Sequence, residues 1–136
     1  MRVPTKDGQL PVAAAVIVDR RRVLLIRRRV QEGRLSWQFP AGKIEPDESA
    51  CEAAVREARE ETGLAVTAVG SLGERVHPDT GRTMHYIRCA IEGGTTIAAN
   101  EEEVAAVAWC NRADLSTYVP YPIFAPVQEF LDNELC

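Results

Sequence analysis

The segment Gly42 to Leu64, GKIEPDESACEAAVREAREETGL, constrains this chain more than any other stretch. Its second half carries several helix signals at once. Pro46, Asp47 and Ser49 form a start signal, and Ser49 with Glu52 has the spacing of a capping box. From Ser49 to Thr62 no Gly or Pro interrupts, Ala and Glu recur, and Gly63 stands where a helix favours its left-handed closing residue. The sequence therefore predicts a helix over 49–62.

The placement of charge on that helix says more than the helix itself. Glu57, Glu60 and Glu61 are related as i, i+3 and i+4, so their side chains leave one face as neighbours. Like charges at this spacing destabilise a helix, and these lie toward its C-terminal end, where the macrodipole disfavours anions. Arg56 and Arg59 offset part of the charge, and Arg56 can fork onto a carboxylate such as Glu48. A hard divalent cation also removes the conflict, because Mg²⁺ takes oxygen ligands and retains waters and substrate phosphates in its shell. Taken alone, a Glu-rich helix is better explained by a solvated acidic face with arginine partners.

The wider pattern decides between the two. Gly42, Glu48, Arg56, Glu57, Glu60, Glu61, Gly63 and Leu64 match a signature of Gly, five residues, Glu, seven residues, then Arg-Glu-aliphatic-x-Glu-Glu-x-Gly-aliphatic. This chain resembles the Nudix hydrolases, with a box at 42–64 in which every fixed position is filled. Ala58 is small for its aliphatic position, and Ala41 stands where many members have a second Gly. The preceding Trp37-Gln38-Phe39-Pro40 is also similar to the family's approach to the box.

Length and composition agree. The 136 residues suit one domain, with 1–136 read as a single Nudix unit able to bury roughly two-thirds of its unfolded surface. A net charge of −4 and a pI near 5.2 argue against non-specific binding to duplex nucleic acid. MRVPTKDGQL has no apolar signal region, and no run reaches the ~20 apolar residues of a membrane span, so the expectation is a cytoplasmic protein without a membrane partner. Cys51, Cys89, Cys110 and Cys136 are scattered without a Cys-x-x-Cys pair. They are expected as free thiols, three on or near the core and Cys136 at a mobile end.

Along the chain, residues 1–9 read as a loose leader and Pro11 to Val18 as a strand buried on both faces. A polar turn at 19–22 leads to a short strand over Val23 to Ile26, and the basic triplet Arg27 to Arg29 follows. Residues 30–36 read as a loop bordering the substrate, with a short strand at Lys43-Ile44. After the box helix, strands are expected over 65–76, broken at Gly70 or Gly73, over 83–91 and over 104–110. Turns are expected at 77–82 and Gly93-Gly94, an acidic connection at 99–103, and a brief helix capped by Asn111. A terminal helix runs over 127–135 with Phe130 and Leu131 inward. The pattern suggests a mixed sheet covered by helices. The resemblance implies the same α/β class, an α/β/α sandwich with a mixed β-sheet between helices.

The resemblance also implies a reaction, hydrolysis of a nucleoside diphosphate linked to another group. It makes Glu60 and Glu61 the principal metal ligands, with Glu57 binding metal or orienting water and the Gly42 carbonyl as a further ligand. Arg56 and Glu48 are the pair that supports the acidic face. Mg²⁺ is the expected cofactor, with Mn²⁺ as a substitute. The general base is either a box glutamate or a carboxylate from a distant loop, for which Glu101, Glu102 and Glu103 are the candidates. Trp37 and Phe39 can stack a base or belong to the core, Tyr86 can line the pocket rim, as can Tyr118 or Tyr121, and Arg27 and Arg29 can meet phosphate. The leading expectation is a MutT-like pyrophosphohydrolase releasing monophosphate and pyrophosphate from a nucleoside triphosphate or modified nucleotide. Alternatives are an ADP-ribose or nucleotide-sugar pyrophosphatase, an RNA 5′-end hydrolase, and a nucleotide-sensing module without turnover. Monomer and homodimer are both compatible with the sequence.

Overall fold

The computed structural model describes residues 9–32 and 35–136. The leader expected at 1–9 therefore lies, apart from Gln9, outside the described residues. The apolar run after Pro11 forms β1 (Val12–Asp19), and β2 (Arg22–Glu32) returns antiparallel to it. Arg20 and Arg21 turn the chain between them with φ of 50° and 63°, the left-handed pair of a tight hairpin.

Two expectations about this region are corrected. β2 does not stop at Ile26 but continues to Glu32, and β3 (Leu35–Gln38) begins inside the expected loop, so strand takes up 30–32 and 35–36 of it. The cause is long-range: β7 (Val104–Cys110) pairs with β2 from Val23 to Arg28 and carries the arginine triplet into the sheet. Beyond Arg28 the end of β2 pairs with the neighbouring β3, Glu32 opposite Leu35, so a distant and a near partner together set the strand's length.

The remaining elements follow the expected order. β4 (Ala41–Lys43) precedes α1 (Ala50–Thr62), then come β5 (Leu64–Val76), β6 (Thr83–Gly94), α2 (Arg112–Tyr118) and α3 (Ala125–Glu134). The turn expected at Gly93-Gly94 is the end of β6, and β5 is continuous but slips register between Ala65 and Val66, before Gly70 and before Gly73. Ser49 and Glu52 close the capping box of α1, and Gly63 ends the helix at φ 77°. A Cβ on Gly63 would also stand 2.8 Å from the carbonyl of Thr95, so both conformation and space require glycine.

The sheet order is β3-β2-β1-β6-β5, with β4 also on β1 and β7 also on β2. β1 and β6 are parallel, whereas the β1–β2, β1–β4, β2–β3, β2–β7 and β5–β6 pairs are antiparallel. β1 is shared between two partners on one side. Its end, Val18 and Asp19, pairs with β2, while its start, Val12 to Ala14, pairs with β4. The sheet therefore forks, and the strand end carrying Arg28 parts from β1 where β4 takes its place.

Side-chain alternation along β1 supplies both layers. Ala13, Ala15 and Ile17 meet Ala53, Ala54 and Ala58 of α1 on one face. Ala14 and Val16 meet Leu115, Val127 and Leu131 of α2 and α3 on the other. This is the expected α/β/α sandwich with a mixed sheet. Ala58, small for its place in the box, is fully buried where helix and sheet meet alanine to alanine.

All four cysteines are free, but their expected places need two corrections. Cys51 is exposed on α1 rather than near the core. Cys136 is held rather than loose, its N–H donating to the Arg21 carbonyl at 3.1 Å and its carbonyl accepting from Arg112 N–H at 2.7 Å.

Candidate functional site

The fork in the sheet and the C-terminal half of α1 open onto a cleft of about 550 Å³. Box residues Gly42, Glu57 and Glu61 line it, together with Arg28, Glu102 and Glu103. Trp37, Phe39, Tyr86 and Phe124 supply aromatic walls.

Glu57 and Gly42 fit each other closely. A Cβ on Gly42 would lie 2.2 Å from the Glu57 carboxylate, so the bare backbone of β4 makes the space that the carboxylate fills. Glu61 is buried deeper. Its Oε1 accepts from Ala41 N–H at 2.8 Å, and its Oε2 accepts from Arg28 Nη1 at 2.8 Å. Arg28 Nη2 also donates to the Ala41 carbonyl at 2.5 Å, so one guanidinium spans the fork from β2 to β4.

Arg56 organises the outer acids. Its Nε and Nη2 fork onto Glu48, as expected from the sequence, and its Nη1 donates to Glu57 at 2.7 Å and Glu60 at 3.3 Å. Nη2 also reaches the Lys43 carbonyl at 3.0 Å, tying the helix to β4. These contacts hold the Arg56 guanidinium firmly in its charged form.

Burial dominates the electrostatics of the inner acids. It pushes the Glu61 carboxyl up to about 7 despite the opposing pull of Arg28, and the nearby Glu57 charge adds to the rise. Burial also raises Glu57, against the pull of Arg56. Glu60 differs, with a side chain 54% exposed. The three glutamates expected on one shared face are thus divided: Glu57 and Glu61 line the cleft and Glu60 stands outside it. Among the described residues no three His, Cys, Asp or Glu side chains converge as a ready metal cage.

The donor chemistry nevertheless fits a hard divalent cation. Glu48, Glu57, Glu60 and Glu61 are four carboxylates sharing two guanidiniums, Arg28 and Arg56, which leaves an excess of two negative charges when all are ionised. Burial is the main cause of the elevation of Glu57 and Glu61, and a neighbouring acid adds a smaller push to each.

The other expected residues are distributed as follows. Glu102 and Glu103 line the cleft from the turn before β7, whereas Glu101 offers its carbonyl to Arg29 Nε at 2.6 Å. Arg29 therefore braces the acidic turn, and Arg27 lies over the Trp37 ring at 5.8 Å; neither lines the cleft. Trp37 packs edge-on against Tyr118, and Phe39 edge-on against Tyr86. Tyr121 lines the cleft and donates its hydroxyl to the Trp37 carbonyl at 3.0 Å.

Sequence reasoning singled out the outer arginines of the triplet and missed Arg28. Three identical residues in a row do not announce which turns inward, and a register shift between Arg27 and Arg28 in the β2–β7 pairing re-aims the chain there. Gln38, Arg75 and Arg82 also line the cleft without having been expected.

The family described as NUDIX domain matches residues 9–132. CTP pyrophosphohydrolase of Escherichia coli (strain K12) is 32% identical over 122 residues, spanning 88% of this chain and 89% of that protein. Two longer relatives, from Caenorhabditis elegans and Mycobacterium tuberculosis, are spanned over only 29% and 41% of their length. The solution structure of the E. coli ORF135 protein superposes with a TM-score of 0.61 at 29% identity, covering 90% of this chain and 86% of that one. A NUDIX hydrolase from Nitrosomonas europaea shares the fold at a TM-score of 0.76 and 19% identity, covering 92% and 72%. A fully filled box on a capped helix, the forked mixed sheet it packs against and these matches lead to one assignment: the chain belongs to the NUDIX domain family.

Proposed function

We propose that this protein is a Mg²⁺-dependent pyrophosphohydrolase that cleaves the phosphoric anhydride of a nucleoside triphosphate or modified nucleotide, giving monophosphate and pyrophosphate. The observation that carries this reading is the sharing of one cleft by the box acids Glu57 and Glu61 and the aromatic side chains Trp37, Phe39 and Tyr86. A phosphate-directed end and a base-sized apolar end lie in a single cavity, as a nucleotide requires.

Glu57, Glu60, Glu61 and the Gly42 carbonyl are the groups that would hold Mg²⁺, with Mn²⁺ as a substitute. When bound, the ion would neutralise phosphate oxygens and lower the pKa of a water. The chain's own residues do the rest. Arg28 and Ala41 N–H fix the Glu61 carboxylate against rotation. Arg56 holds Glu48, Glu57 and Glu60 in one array, a supporting role outside the reacting atoms. Glu102 or Glu103 accepts the proton of the attacking water as its oxygen bonds to phosphorus and the anhydride P–O bond breaks. Trp37, Phe39 and Tyr86 flank the nucleoside.

A nucleotide panel with product identification, run with and without Mg²⁺ or Mn²⁺, tests the reading. Monophosphate with pyrophosphate is the expected outcome. AMP with a sugar phosphate from ADP-ribose, and no turnover of triphosphates, would replace it with the nucleotide-sugar alternative. Calorimetric nucleotide binding under saturating Mg²⁺ with no product would replace it with a sensing module.

A further inference from the structure

The acidic turn before β7 is held from two sides, and both holds lead back to Glu61. On one side, the segment leaving β6 hooks onto the end of α1. Ile97 N–H donates to the Thr62 carbonyl at 2.9 Å, and Ala99 N–H donates to the Glu61 carbonyl at 3.1 Å. These bonds satisfy two of the carbonyls that a helix end leaves open. Asn100 then closes the turn, its carbonyl accepting from Glu103 N–H at 3.1 Å and Val104 N–H at 2.7 Å.

On the other side stands β2. Arg28, bonded to the Glu61 carboxylate, pairs with Val104 in the strand ladder. Arg29 extends the hold by one bond, its N–H donating to the Glu103 carbonyl at 2.8 Å. Its side chain adds another, with Nε donating to the Glu101 carbonyl at 2.6 Å. A ring of contacts thus runs from the Glu61 backbone through 99–103 to Arg29 and Arg28, and back to the Glu61 side chain.

The acceptor that Arg29 uses matters. The turn offers three glutamates, yet Arg29 Nε bonds a main-chain carbonyl, and among the described residues no ion pair engages Glu101, Glu102 or Glu103. A salt bridge would lower the basicity of the carboxylate it engaged. A charge-assisted bond to the backbone instead fixes the turn and leaves the Glu102 and Glu103 carboxylates, which line the cleft, outside any ion pair.

We propose that Arg29 is a positioning residue for the reaction: by fixing the backbone of Glu101 and Glu103, it holds the neighbouring base carboxylate at a set place relative to Glu61. The proposal rests on the reading above in which Glu102 or Glu103 takes the proton of the attacking water. Arg29 does not itself line the cleft. Its effect is on geometry, where misplacement by about 1 Å can cost about a hundredfold in rate.

The test measures hydrolysis of the most rapidly cleaved nucleotide, with Mg²⁺, by wild type, Arg29→Met, Glu102→Gln, Glu103→Gln and the double variants. Arg29→Met should lower kcat at least tenfold with KM within twofold. One of the Gln substitutions should lower kcat further still. Adding Arg29→Met to that variant should cost less than twofold more, because a base already lost cannot be misplaced. Amide exchange in EDTA reads the hold on the turn without the reaction. Glu103 and Val104 should exchange at least tenfold faster in Arg29→Met, with Ala53 and Ala54 of α1 unchanged. Four results would overturn the proposal while leaving the base assignment standing: unchanged kcat in Arg29→Met, losses that multiply in the double variant, unchanged exchange at the turn, or exchange that quickens equally in α1. If neither Gln substitution lowers kcat, the base assignment falls and the role of Arg29 falls with it. Absence of turnover on every nucleotide would remove the hydrolase reading and this role together.

Discussion

The carboxylate of Glu61 and the guanidinium of Arg28 are 2.8 Å apart, with side chains only 2% and 14% exposed. This pair joins the C-terminal turn of α1 to the strand that leaves the fork, and Glu61 is the one carboxylate to which Arg28 donates among the contacts described. Removing one member of a buried pair strands the other in low dielectric, at a cost of about 3–5 kcal/mol. Arg28→Met is therefore expected to lose about 3 kcal/mol in urea unfolding. Adding Glu61→Leu should recover part of the loss, because an apolar pair replaces an orphaned charge. A single substitution costing less than about 0.5 kcal/mol, the size of an exposed ion pair, would mean that the contact is not formed in solution.

The same carboxylate makes stability depend on pH. With its folded value raised to about 7 from the ordinary 4.5, Glu61 keeps a proton in the folded protein that the unfolded chain has already released. Stability then falls as pH rises through this window, since the folded state binds more protons than the unfolded one. Burial raises Glu57 as well, which adds in the same direction. In EDTA, Tm should decline as pH goes from 4.5 to about 7, and Glu61→Gln should flatten that decline. A Tm that climbs across this window in wild type would contradict the burial of the pair.

Divalent cations should reverse the effect. An ion bound only by the folded state stabilises it by mass action, about 2.7 kcal/mol at a hundred times its Kd. Added Mg²⁺ is expected to raise Tm more at pH 8 than at pH 5, because ionised carboxylates bind it. EDTA should abolish hydrolysis. Glu60→Gln bears most directly on the metal assignment, since Glu60 is the box acid that stands outside the cleft. Full activity in that variant with Mg²⁺ present would remove Glu60 from the metal site.

Much of this was legible in the sequence because it is local. The capping box at Ser49 and Glu52, the left-handed Gly63, the Arg56 fork onto Glu48 and the extent of β7 all follow from nearby residues and short-range periodicity. What escaped depends on pairing at a distance. β2 continues past Ile26 because β7 lies beside it, and Arg28 turns inward at a bulge that three successive arginines do not reveal. The division of Glu57, Glu60 and Glu61 has the same origin. Helical spacing makes them neighbours, but the fork in the sheet covers Glu57 and Glu61 and leaves Glu60 in solvent. Gln38, Arg75 and Arg82 come from three separate segments, and only the closed fold brings them to one cleft.

Gly42 offers the sharpest test of how the box works, because no positive φ requires glycine there. The requirement is steric: a methyl group at that position would stand 2.2 Å from the Glu57 carboxylate. Gly42→Ala should therefore fold, at a cost of about 1–3 kcal/mol for overpacking, because β4 can keep its backbone bonds while Glu57 is pushed aside. Displacing Glu57 should break its 2.7 Å contact with Arg56 and spoil the array of acids. Two readouts separate this from simple damage. The Tm gain on adding Mg²⁺ should shrink or vanish in Gly42→Ala, and kcat should fall at least tenfold, while binding of a nucleoside monophosphate in EDTA changes little. A variant that keeps both its Mg²⁺ response and its kcat would show that the Glu57 carboxylate does not need the space above Gly42, and the metal assignment of both residues would fall together.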